Sequence, residues 1–183
     1  MKRLGLDDIL ETERCIIKIP EIDEAEYIWN LITPAVTENM IWDKWEDHSQ
    51  TYENLLKARK KAKSWDSWDA AIYLKETWKC IWRCGIPEID KNIPSVSIWY
   101  WLSPKYWWKW IIPECVDRLL SAAFNEMGMI NAVLCADSNN MKSRRVADKC
   151  WFTLDGVIRR ERKVKWTVRD VAVYTMLKEE YNK

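Results

Sequence analysis

The chain reads as an α/β protein of the α+β type: a mixed, mostly antiparallel sheet with helices on both faces. Three observations carry that reading. A β-branched and aromatic run, Ser95-Val96-Ser97-Ile98-Trp99-Tyr100-Trp101-Leu102, is followed beyond Pro104 by an amphipathic run from Ile111, which is a strand, a tight connection and a helix. Strand–turn–strand patterns lie on both sides of that unit, at residues 70–90 and 152–177, as antiparallel pairs require. Helical spacing recurs before it, at residues 21–32 and 49–63, which supplies cover for a second sheet face.

Taken in order, residues 12–19 hold the apolar run Cys15-Ile16-Ile17 and predict a first strand, ended by Pro20. Residues 21–32 set Ile22, Ala25, Ile28, Trp29 and Ile32 at helical spacing, and Pro34 closes that helix. Residues 33–47 are less regular, with a short helix expected around 36–40. Residues 49–63 are a clear helix: Ser49 is its expected cap, and Arg59, Lys60, Lys61 and Lys63 suit the negative end of its dipole. Residues 64–69 are a polar turn, 70–75 a strand, 76–79 a hairpin turn and 80–90 the partner strand, with Cys80 and Cys84 expected on one face. After the turn at 91–94 comes the central strand, 95–102. The helix that follows runs from 111 to about 127, with Ile112, Cys115, Val116, Leu119, Leu120 and Ala123 on its apolar stripe and Gly128 as its C′ stop. Residues 131–136 are a short buried strand, 137–140 a loop and 143–149 a short helix. Residues 152–162 and 168–177 form a last hairpin around 163–167.

At 183 residues, one domain spanning 1–183 is expected. Lys and Arg number 29 against 28 Asp and Glu, which leaves no net field to draw nucleic acid or an anionic membrane. The aromatic stretch 99–110 with Lys105 and Lys109 has the composition of a single-strand stacking platform, but strand alternation buries half of it, and the charge is balanced. No apolar run reaches 18 residues and no apolar segment follows Lys2-Arg3, so neither a membrane span nor a signal peptide is read. Six scattered cysteines and the single His48 give no metal-ligand spacing; no metal and reduced thiols in the cytoplasm are expected.

The ordered motifs point further. Tyr100-Trp101-Leu102, the turn Tyr106-Trp107-Trp108-Lys109-Trp110, Pro113-Glu114, Asn140-Met141-Lys142-Ser143, Asp148-Lys149-Cys150-Trp151-Phe152 and Gly156-Val157-Ile158-Arg159 follow one another along residues 12–181. The set resembles the GNAT N-acetyltransferases, in the branch of the ribosomal-protein N-terminal acetyltransferases of RimJ/RimL type. The resemblance implies a GNAT-like sheet of six to seven strands, acetyl-CoA as cosubstrate and a primary amine as acceptor, first among them a protein N-terminal α-amine. Small-molecule amines (polyamines, amino sugars) and a catalytically silent binding module are the alternatives. No nucleic acid or membrane partner is implied, and the chain is expected as a monomer or homodimer.

The same resemblance assigns the site. Leu102, Ser103, Lys105, Trp108, Lys109, Trp110 and Ile111 bracket the pyrophosphate-binding turn and helix N-terminus, with a backbone N–H near Leu102 facing the developing oxyanion. Asn140 lies near the pantetheine arm and Ser143 near the thioester sulfur. The tyrosine that many relatives carry four residues later is Ala147 here, which leaves Ser143 as the acid for the leaving thiolate. Glu88 is the candidate to accept the amine proton, with Glu161 and Asp170 as alternatives. Read without the resemblance, Asn140 is a loop residue, Ser143 a helix cap and Glu88 an exposed strand carboxylate.

One departure is systematic. The chain holds 14 Trp and 4 Gly, and Trp65, Trp78, Trp82, Trp99, Trp108, Trp110, Trp151 and Trp166 stand where glycine is wanted. Reverting them would restore glycine to near its ordinary share of about 7%. Trp78 and Trp166 fall at hairpin turns, Trp151 where a left-handed residue often closes a helix, and Trp108 and Trp110 where backbone approaches phosphate. Either the chain carries indoles there, or a glycine codon has been rendered as Trp. Trp101 and Trp107 match positions where the branch itself has Trp.

Overall fold

The computed structural model describes residues 2–102, 106 and 110–181, with the backbone alone at Trp82 and Leu102. Among the described residues nine strands form one sheet: β1 (Ile9–Glu11), β2 (Cys15–Lys18), β3 (Trp68–Leu74), β4 (Cys80–Ile86), β5 (Ile89–Asp90), β6 (Ser95–Leu102), β7 (Asn131–Asp137), β8 (Thr153–Val164) and β9 (Thr167–Leu177). Their order is β1-β2-β3-β4-β6-β7-β9-β8, with β5 also on β6. Only β6 and β7 run parallel; every other described pair is antiparallel. The expected class stands. The strand number exceeds six to seven because β1 was not foreseen and because Pro87 splits the expected 80–90 strand into β4 and β5: proline cannot donate to a ladder.

The helices are α1 (Ala25–Leu31), α2 (Pro34–Thr37), α3 (Ser49–Lys63), α4 (Ile111–Ser121), α5 (Met141–Lys149) and α6 (Lys178–Tyr181). α4 buries Ile111, Ile112, Cys115, Val116, Leu119 and Leu120 against one sheet face; each large aliphatic among them contributes about 1.5–3 kcal/mol. Pro113 sits in the first turn, where its missing N–H costs no helical hydrogen bond. A π-helical turn, Ala122–Glu126, extends α4 to Gly128, whose φ of 72° closes it. α1 and α3 cover the other face, with Ile28 and Leu55 over Ala71 and Tyr73.

Two local expectations are corrected. Ser49 does not cap α3; Asp47 Oδ1 accepts from the Ser49 N–H at 2.7 Å. Cys80 and Cys84 do not share a face. The β3–β4 register slips between Ile72 and Tyr73, which inserts one residue of β4 and sends Cys80 to the α1/α3 side and Cys84 to the α4 side. None of the six cysteines is in a disulfide, and only Cys135 is exposed. Among the described residues no helix is long and apolar enough to cross a membrane.

Candidate active site

The parallel pair at the centre of the sheet does not stay paired. β6 and β7 are in register from Ser95↔Asn131 to Ile98↔Leu134 and no further. Beyond that point β6 follows β4 alone, with Gly85↔Trp99 through Trp82↔Leu102, while β7 follows β9 to Asp137↔Val171. The edge of residues 99–102 that faces β7 therefore has no ladder partner among the described residues. Backbone amides left this way need hydrogen bonds from elsewhere.

α5 stands at the mouth of the gap. Asn140 caps it, its Oδ1 accepting from the Ser143 N–H at 3.2 Å; the cap expected of Ser143 thus falls to Asn140, and Ser143 lies inside the first turn. Ser143 does more than occupy a helix. Its Oγ lies 3.0 Å from Tyr100 Oη, and the Tyr100 hydroxyl also reaches the Ser143 carbonyl at 3.2 Å. Tyr100 is on the core-facing side of β6 with Val96 and Ile98, so its hydroxyl crosses the gap to α5. Burial pushes the Tyr100 hydroxyl well above its ordinary value, against the hydrogen bond to Ser143, so it stays protonated and available as a donor.

A cavity of about 230 Å³ opens at this point, lined by Tyr100, Trp101, Tyr106, Trp110, Asn140 and Ser143 among others. Ile111 and Ile112 form its base at the start of α4. Glu114 in the same helical turn ties α4 to the head of β2. It accepts from the Arg14 N–H at 3.0 Å and Arg14 Nε at 2.7 Å. Burial opposes charge on Glu114, but the hydrogen bonds from Thr12 and Arg14 outweigh it and hold the carboxyl below its usual range.

Trp101 also borders a second, larger cavity of about 740 Å³ on the α1/α3 side. Its floor carries Asp69 of β3, Arg83 of β4 and Trp99 of β6. Arg83 lies opposite Trp101 in the β4–β6 register, and its Nη2 is 2.6 Å from Asp69 Oδ1. Burial pushes the Asp69 carboxyl up despite the neighbouring guanidinium. Arg83 Nε and Trp99 Nε1 are buried without a hydrogen-bond partner among the described residues. Trp42 and Trp45, stacked at 5.1 Å, complete one wall, and Lys57, Lys60 and Lys61 of α3 stand at the rim. Gly85, two residues further along β4, has a strict steric reason: a Cβ there would lie 2.2 Å from the Trp68 carbonyl oxygen.

Of the residues expected at the site, the structure brings together Trp110, Ile111, Asn140 and Ser143. Leu102 is the last residue of β6, at the open end of the gap. Ser103, Lys105, Trp108 and Lys109 lie outside the described residues. Glu88 is not brought in: it is exposed in the β4–β5 connection and lines neither cavity, though its carbonyl accepts from the Ser97 N–H. Glu161 is exposed on β8, and Asp170 Oδ1 is taken by the Arg160 N–H at 2.8 Å. Sequence reading missed Tyr100, Asp69 and Arg83. A tyrosine on an otherwise aliphatic strand face needs a partner for its hydroxyl, and an arginine inside an apolar strand needs a carboxylate; those were the available signals.

Comparison with known proteins bears on the same features. The profile of the Acetyltransferase (GNAT) domain family matches residues 14–153. The chain is similar to the N-acetyltransferase p20 of Bacillus licheniformis, 25% identical over 177 residues that cover 95% of this chain and 98% of that protein. Among solved structures it resembles RimL, the ribosomal L7/L12 α-N-protein acetyltransferase, in complex with coenzyme A. The TM-score is 0.87 at 14% identity, over 94% of this chain and 99% of that one. It also resembles the microcin C7 self-immunity acetyltransferase MccE in complex with acetyl-CoA and AMP, with TM-score 0.85 at 20% identity, over 90% and 93%. With a sheet that parts between its central parallel strands and a family match over most of its length, this chain belongs to the GNAT family of acetyl-CoA-dependent acetyltransferases.

Proposed function

We propose that this chain, as one domain over residues 1–183, moves an acetyl group from acetyl-CoA to a primary amine, with a protein N-terminal α-amine as acceptor. The observation that carries the reading is the parting of β6 from β7 beyond Ile98, with Ser143 and Tyr100 meeting across the gap. The unpaired edge of residues 99–102 fits the amides of a pantetheine arm. The cavity at Tyr100 and Ser143 holds the thioester, and the larger cavity beyond Trp101 receives the acceptor. The six cysteines, none of them in a disulfide, are in keeping with the cytoplasm.

The acceptor ammonium loses its proton to water or a carboxylate on its own side, and its nitrogen attacks the thioester carbonyl. A backbone N–H near Leu102 donates to the oxyanion as it forms. The C–N bond closes and the C–S bond breaks; the proton that the nitrogen sheds on becoming an amide reaches the departing thiolate through the Ser143 hydroxyl, which accepts one proton as it gives up another. Tyr100 holds that hydroxyl in place through their 3.0 Å contact. Holding amine and thioester at one end of two joined cavities supplies the remaining advantage, by orientation.

The test is an amine panel of N-terminal peptides, polyamines and amino sugars with release of coenzyme A thiol as readout, beside calorimetry of acetyl-CoA. Turnover on peptides above the small amines supports the reading. Turnover confined to polyamines or amino sugars overturns the protein acceptor. Saturable acetyl-CoA binding without turnover on any amine points to the silent binding module, a second reading favoured by the Trp110 indole beside the start of α4.

A further inference from the structure

We propose that Trp65, Trp78, Trp110 and Trp151 are glycines in the protein that its host makes, encoded by a codon that the host reads as glycine and that has been rendered here as tryptophan. UGA is the candidate, because it means Trp in some bacterial codes and Gly in others. The proposal stands on the backbone and is independent of the catalytic reading.

Six non-glycine residues of the described chain have left-handed φ, and four of them are Trp: Trp65 (56°), Trp78 (57°), Trp110 (55°) and Trp151 (62°). Left-handed backbone is uncommon outside glycine, is tolerated chiefly by Asn and Asp, and is an outlier for a bulky residue. The other two have plain local reasons. Lys165 is the first residue of the two-residue β8–β9 turn, and Arg160 lies within the register shift between Ile158 and Arg162.

The local hydrogen bonds say which motif each tryptophan completes. At the end of α3, the Trp65 N–H donates to the Ala62 carbonyl and the Asp66 N–H to Lys61. At the end of α5, the Trp151 N–H donates to Asp148 and the Phe152 N–H to Ala147. Both are the double closure in which the left-handed position is ordinarily glycine. The α4 unit in the same molecule ends at a left-handed Gly128. Trp78 closes the β3–β4 turn, its N–H donating to the Leu74 carbonyl at 2.7 Å. Trp110 is the N-cap of α4 at φ 55°, ψ 23°, where a cap residue is usually extended.

Three of the indoles are largely in solvent: Trp78 is 71% exposed, Trp151 85%, and Trp110 55% with Lys149 Nζ 4.0 Å over its ring. Trp65 packs against the core edge under Arg3, with its Nε1 unpartnered among the described residues. Tryptophans with a structural task look different. Trp68 is fully buried and donates to the Gly5 carbonyl at 3.0 Å, and Trp101 is buried at the junction of the two cavities. Trp166, expected at a glycine turn, is exposed but not left-handed; the left-handed residue of that turn is Lys165. Backbone therefore does not place Trp166 in the set.

The coding DNA and the intact mass of protein isolated from the native host test this. UGA at positions 65, 78, 110 and 151 with UGG at 68 and 101, and peptide masses carrying glycine at the four sites, are expected. UGG at the four sites, or UGA there with peptides that carry tryptophan, overturns it. The backbone argument has its own check in a recombinant pair, the chain as written and the variant Trp65→Gly/Trp78→Gly/Trp110→Gly/Trp151→Gly. A higher melting temperature for the variant is expected, and an equal or lower one removes the physical basis.

Discussion

The two cavities that share Trp101 differ in what faces the central strands. On the α4/α5 side the groups that meet across the gap are neutral, namely the Tyr100 and Ser143 hydroxyls, the Asn140 amide and the backbone edge of β6, although Glu38, Lys142 and Arg145 also line the cavity. On the α1/α3 side they are charged: Asp69 and Arg83 pair in the floor, under an arc of lysines. The difference follows from what each side holds up. A neutral hydroxyl pair costs little to bury and can turn over a proton without disturbing the fold. A buried ion pair is costly once one partner is removed, because the other charge is left uncompensated. The α5 side should therefore answer to mutation in rate, and the β3–β4 side in stability.

The largest expected effect breaks the charged side. Arg83→Met leaves Asp69 alone and should cost about 3 kcal/mol of stability, read by urea unfolding. The loss should deepen as pH rises, since a carboxyl whose folded pKa is raised binds protons more tightly folded than unfolded, and stability falls as pH climbs above its ordinary range. An Arg83→Met protein as stable as the parent would show that the pair is incidental.

Next is Ser143→Ala, which should lower kcat by about 100-fold, the scale of a lost general acid, with acetyl-CoA affinity and melting temperature near those of the parent. Tyr100→Phe should cost about tenfold in kcat, and the double variant no more than Ser143→Ala alone, because Tyr100 acts only by holding the Ser143 hydroxyl in place. Additive losses would separate them. If either variant lost stability as Arg83→Met does, the contrast between the two sides would fail.

Two smaller effects sharpen the picture. Glu114→Gln should cost about 1 kcal/mol, the scale of a partly exposed charge-assisted contact with Arg14. The parent's share is present above the usual glutamate range and is lost as pH falls through it, the reverse sign to Asp69. Trp110→Gly should relieve about 1 kcal/mol of left-handed strain, raising the melting temperature by about 2–4 °C. It should also improve acetyl-CoA affinity, since the indole lines the cavity at Tyr100 and Ser143; weaker binding would show that the indole contributes to the site.

Much of this was readable in the residues. The 3.6-residue stripe of α4, its end at Gly128 and the β-branched, aromatic β6 are local patterns, and each reports on its own few residues. The excess of tryptophan was equally visible, and so was the suspicion that some of it stands at glycine sites. These are properties of backbone propensity and periodicity, and they need no partner from elsewhere in the chain.

What required the folded chain were relations across distance. Tyr100 and Ser143 are 43 residues apart, and no spacing rule joins a strand face to a helix in another connection. Asp69 and Arg83 meet only because β3 and β4 pair in one register, and the slip at Ile72 decides which face Cys80 takes. The parting of β6 from β7 has no mark in either strand, because both read as ordinary buried strands; beyond Ile98 β6 stays paired with β4 and β7 with β9. Glu88 is acidic and near the centre in sequence, yet Pro87 breaks the strand beneath it and leaves it in solvent. Local patterning sets which segments are helix or strand. Which side chains then share a cavity depends on register and packing, because those sum contacts from the whole chain.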